Sequence, residues 1–301
     1  MGRHKSMNKI NYLKSKSILV LICIGLLNYL ALVENVSAES VTTELHSALQ
    51  DGIEQGINKA KSLLSNNPAN VRREVLTSLM TESDRRKDRD FDTRITKLII
   101  GEYLLKKPET LLLTYEWLLQ MSYQVQSADV SIGLQPLLNN EYLSNEDIVL
   151  LGVFNVVGFR PILNDLYATT QKKITHPKQR ANSTATWVIL IMQARYGNQD
   201  AIKRVLYELE NNYDDIIRVT QKFKDLKLIP SRDVRDYLLG YLFSEKRLPR
   251  IKDNVQGSLY ASYAAQVLSV IDENFPIKKE RFNDADIIKV RRWYEQNKSE
   301  V

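Results

Sequence analysis

Few residues in this chain have the types and spacing that chemistry needs. Of its three histidines, His4 lies in a basic amino-terminal stretch, which leaves His46 and His176. Neither stands in a metal spacing such as H-E-x-x-H, and the single cysteine, Cys23, sits inside an apolar run. A Cys/His zinc site is therefore not expected. His176 precedes Pro177 in the polar stretch "THPKQRANST", which reads as an exposed loop. Asp284 and Asp286 open "DADIIKVRRWYEQNK", but Ile287 and Ile288 occupy the ground where a calcium loop needs further oxygen ligands. Those acids read instead as first-turn partners of a helix dipole, with Arg291 and Arg292 nearer its other end.

Other reactive patterns fare no better. The run "SDRRKDRD" at 83–90 interleaves four basic residues with three acids and reads as a solvated interhelical loop, with a partner-binding loop as its alternative. Glycoside hydrolysis needs a carboxylic acid in a catalytic setting. The only Glu-Ser pairs, Glu39-Ser40 and Glu82-Ser83, stand before no lysozyme-like segment. Beyond the first 38 residues there is no G-x-S-x-G, no P-loop and no G-x-G-x-x-G. No catalytic, metal or cofactor-binding residue is assigned, no cofactor is implied, and the chain is expected not to be an enzyme.

The amino terminus carries a message of a different kind. Arg3, Lys5, Lys9, Lys14 and Lys16 precede the apolar run Ser17–Val33, and "ENVSA" follows, with Val36 and Ala38 at the −3 and −1 places of a cleavage site. A basic region, an apolar region and a small-residue exit are the parts of a secretory signal peptide, so residues 1–38 are expected to be removed after Ala38. Met7 as the start would leave this reading unchanged. The competing reading is an uncleaved anchor, since the run approaches the ~17–25 residues that span a bilayer. Cys23 follows Leu21 and Ile22, where lipidation would want small residues.

Removal takes five of the 42 basic residues and one of the 36 acids, so a net charge of +6 falls to near +2. The basic pI of 9.1 is thus largely a property of the leader, and nucleic acid is not expected as a partner. The mature chain has no thiol and must fold without disulfides, which at this length its core permits. An exported chain without cysteine points to a bacterial periplasm, or to secretion.

The elements that would position any site are helical. Ile202, Val205, Leu206 and Leu209 fall at i, i+3, i+4 and i+7; Val234, Tyr237, Leu238, Tyr241 and Leu242 repeat the spacing, as do Tyr260, Tyr263, Ala264, Val267, Leu268 and Ile271. No segment sustains the alternation of a strand. Proline and capping residues punctuate the pattern: Asn67-Pro68, Pro108 and Pro161 open helices, and Ser144-Asn-Glu-Asp147 resembles a capping box. Helices are predicted at 41–65, 68–82, 92–106, 109–125, 145–157, 161–172, 184–196, 199–211, 214–227, 231–244, 257–273 and 284–297, with a short one near 128–138.

Internal similarity suggests how the helices are arranged. Asn70-Val-Arg-Arg-Glu-Val75-Leu76 lines up with Asp233-Val-Arg-Asp-Tyr-Leu238-Leu239, and Leu79 with Leu242. In "ARYGNQDAIKRVLYEL", Gly197 can end one helix, Asn198 or Asp200 can cap the next, and Ile202 begins a buried stripe. These stretches, around 68–82, 184–211 and 231–244, resemble the hairpins of HEAT-like repeats. The resemblance implies an all-α solenoid of stacked helical hairpins, with residues 39–301 as one repeat domain. A degenerate tetratricopeptide array and an irregular helical bundle stay open. A solenoid implies a scaffold that presents a helix-lined surface to a protein or peptide in the cell envelope. Lys203, Arg204, Tyr207, Arg232, Arg235 and Asp236 are its candidate contact residues. A cell-envelope hydrolase or lyase on a helical scaffold is the alternative, and membrane contact is expected only through an uncleaved leader.

Overall fold

The computed structural model describes residues 40–125, 128–173, 184–211, 222–247, 260–279 and 281–297. Among these the architecture is all-α. The chain divides into two compact units at Leu134 and Gln135.

The first unit holds α1 (40–51), α2 (Ile53–Asn66), α3 (Ala69–Arg86), α4 (Arg89–Leu104), α5 (Pro108–Met121) and α6 (Ala128–Leu134). Its packing follows chain order. Helix α2 packs on α3 and α4, α4 on α5 and α6, and α3 on α5. Alternate helices therefore lie side by side, α2, α4 and α6 in one row and α3 and α5 in another. The apolar stripes meet between the rows: Val71, Val75 and Leu79 of α3 are fully buried, as are Phe91, Ile95 and Ile99 of α4. Each such side chain contributes about 1.5–3 kcal/mol by leaving water.

The second unit repeats the logic with shorter pieces. It runs η1 (Gln135–Asn139), α7 (Asn145–Val153), α8 (Phe159–Lys173), α9 (Thr184–Arg195) and α10 (Gln199–Asn211). A helical turn at 222–225 leads into η2 (Leu226–Leu228), then α11 (Arg232–Leu242), α12 (Tyr260–Ile271) and α13 (Asp284–Gln296). Helix α9 packs on α7, α8, α10 and η2; α11 packs on α10 and α12; α12 packs on η2 and α13. The capping boxes sit where acids stand three residues past the cap. Ser144 and Asp147 open α7, and Asn283 and Asp286 open α13.

Several boundaries differ from the sequence-based expectation, each for a local reason. The segment 41–65 is two helices, broken at Gly52, whose φ of 155° suits glycine alone. Asn67 does not cap α3; its amide donates to the Leu63 carbonyl and closes α2. The run 83–90 is largely exposed, as expected, but is mostly helix rather than loop, because α3 continues to Arg86 and α4 begins at Arg89. Only Lys87 and Asp88 turn. Lys87 takes the left-handed conformation at φ 52°, and the Asp88 carboxylate accepts from the backbone of Asp90 at 2.9 Å. What extends α3 is buried Glu82, which accepts from Arg85 at 2.6 and 2.9 Å and from Arg86 at 2.5 Å. Two of the four basic residues in that run thus pair with Glu82, Arg86 half-buried and Arg85 from the exposed surface. The expected signal peptide at 1–38 with its cleavage after Ala38, His176, and most of 214–227 lie outside the described residues.

Candidate functional site

The hairpin of α9 and α10 shows how a surface helix is held. Helix α9 ends with Asn198 donating its backbone N–H to the Gln193 carbonyl at 3.1 Å and Gly197 donating to Ala194 at 3.0 Å. That pair of bonds needs a left-handed residue at the bend, and Gly197 supplies it at φ 82°. The Asn198 side chain then accepts from the backbone N–H groups of Asp200 and Ala201, both at 3.1 Å, which caps α10. Buried Gln193 joins the hinge to α8 by donating to Asn164 at 2.9 Å.

Arg195 fixes the hairpin from below. Its guanidinium donates to the carbonyls of Gly152 and Val153 at the end of α7, both at 3.2 Å, and to Leu228 of η2 at 2.8 Å. Carbonyls at a helix end lack partners within the helix and carry partial negative charge, so a cation there satisfies both needs. One side chain thereby ties α9 to α7 and η2.

On this support α10 turns Ala201, Ile202, Val205 and Leu209 inward, all nearly or fully buried. Lys203 and Tyr207 point outward, with Tyr207 62% exposed. Arg204 is half-buried and donates to the Tyr167 hydroxyl of α8 at 3.4 Å. On the adjoining α11, Arg232 and Asp236 are exposed and face each other at 3.7 Å one turn apart. In water such a pair contributes at most about 1 kcal/mol, so both groups remain available to a partner.

Arg235 has a different position. Its guanidinium turns to Asp272 at 3.2 Å, and Asp272 is buried, accepting also from the Tyr294 hydroxyl at 2.7 Å and the Asn274 backbone at 3.1 Å. Burial, followed by that hydrogen bond to Asp272, pushes the Tyr294 phenol well above its usual range. The structure thus brings Lys203, Arg204, Tyr207, Arg232 and Asp236 onto the packed pair α10 and α11, while Arg235 joins the interior between α11, α12 and α13.

Two features of this unit carry no sequence motif. Asp225, at the end of the helical turn before η2, accepts from the Trp187 indole N–H at 2.8 Å, and the Lys222 ammonium lies 4.7 Å from the Trp187 ring centroid. Burial pushes the Asp225 carboxyl up to about 6, against the opposing pull of Trp187, Lys227 and Lys222. Burial likewise pulls the Lys227 amine down. The second feature is a ring cluster. Phe223, Tyr237, Tyr241 and Tyr260 pack with centroids 5.0–6.2 Å apart. Tilted and edge contacts at such distances suit aromatic quadrupoles. Tyr237 and Tyr241, half-buried, thus serve packing, as do Trp117 and Trp187, which are buried.

The first unit holds its own ionic cluster. Arg72 bonds Glu109 and stands 3.7 Å from buried Glu102, which also faces Lys107 at 3.7 Å and accepts from Thr110 at 3.2 Å. Opposite charges balance there, and the groups lock α3, α4 and α5 together. Among the described residues no group of three or more metal-ligating side chains gathers, and no helix is long and apolar enough to cross a membrane.

The described residues form an all-α protein, with Lys203 and Tyr207 exposed on α10 and Arg232 and Asp236 exposed on α11. Set against protein-family models, curated proteins and solved structures, the chain matches none of them.

Proposed function

We propose that the chain is an exported, HEAT-like repeat scaffold that binds a protein or peptide in the bacterial periplasm or outside the cell. Export rests on the leader pattern of residues 1–38. The repeat reading is supported by helices packed on their sequence neighbours and, for α2 on α4, α3 on α5, α4 on α6 and α7 on α9, on the next but one. It is supported also by the two aligned Val-Arg helix starts: Arg72 and Arg235 each reach an acid 37 residues further on, Glu109 and Asp272. A hairpin that cannot bury its own apolar face gains a core from its neighbours, and the outer faces are left for recognition.

The observation that carries the binding proposal is Tyr207. It is a large aromatic residue left mostly in water, beside Lys203 and Arg204, on a helix capped at its start and backed by Arg204 on Tyr167. Tyr and Arg supply much of the binding energy where proteins meet. The contact residues are Lys203, Arg204, Tyr207, Arg232 and Asp236; Arg235 supports them through Asp272. Affinity capture tests this, using the mature chain and the variant K203A/Y207A/R232A/D236A against the envelope fraction of the source cells. A species enriched by the first and lost with the second is expected. Equal capture by both, or turnover of wall or lipid material by the mature chain, overturns the proposal.

A further inference from the structure

We draw no further inference here: the strongest candidate, the exposed apolar surface formed by Leu105 at the end of α4 and Leu112 on α5, is an unpartnered apolar face, and nothing in the structure shows what covers it.

Discussion

Replacing Arg235 by alanine removes the guanidinium that faces Asp272 at 3.2 Å. Breaking a fully buried ion pair from one side costs about 3–5 kcal/mol, because the remaining charge is stranded. Two features reduce that figure here. The Arg235 side chain is 28% exposed, and Asp272 keeps the Tyr294 hydroxyl and the Asn274 N–H as donors. The expected loss is therefore about 2 kcal/mol. Asp272→Ala takes the acceptor from all three donors, leaving the Tyr294 hydroxyl buried without it, and should cost about 3 kcal/mol. The double variant should lose less than the two single losses combined, by at least about 1 kcal/mol, since both remove the same contact. Urea unfolding of the four proteins, followed by far-ultraviolet circular dichroism, reads these differences. A loss below about 0.5 kcal/mol for R235A, or simple additivity, would refute the placement of Arg235 as an interior tie.

Other outcomes follow from single side chains. Arg85 and Arg86 hold the Glu82 carboxylate down to about 2 against an ordinary 4.5, and its side chain is only 8% exposed. Its stabilising effect is full above the unfolded value and is lost as pH falls through the folded one. Glu82→Gln should thus cost about 2–3 kcal/mol at pH 7 and flatten the acid limb of a stability profile. Asp225 has the opposite sign: held up at about 6 against 3.8, it makes the fold lose stability as pH rises from about 4 to about 6. Asp225→Asn keeps an acceptor for Trp187 and should stabilise the protein at pH 7 by about 1–3 kcal/mol; a loss there would contradict the buried placement. Gly197→Ala meets no atom within 4 Å yet should cost about 1 kcal/mol through backbone strain alone. Lys87→Gly, at φ 52°, should shift the thermal midpoint the other way by a similar energy.

Helical class is readable from this sequence because apolar spacing reports burial directly. Ile202, Val205 and Leu209 repeat at helical intervals, and all three are buried. Gly197 and Ser144 are readable because glycine at a bend and serine three residues before an acid each have one dominant physical use. Lys87, Lys106 and Asn155 make comparable left-handed turns without glycine, so the α3–α4 turn is misplaced by inspection. "SDRRKDRD" misleads for a related reason: nothing in its composition says that Glu82, just before it, is buried and pairs with Arg85 and Arg86. Arg235 is indistinguishable in sequence from a surface arginine, since its partner Asp272 lies a whole helix pair away. Asp225 and the rings around Phe223 depend entirely on tertiary neighbours and carry no spacing signal.

The central proposal is that the face of α10 and α11 contacts a partner after export. A photo-crosslinking amino acid placed at position 207 of the full chain, in its native cells, tests it directly. The control is the same group at exposed Thr81 of α3. Discrete adducts from the processed chain at position 207, absent at 81, are the predicted result. Equal or absent adducts at both positions, or a chain that never leaves the cytoplasm, would contradict it.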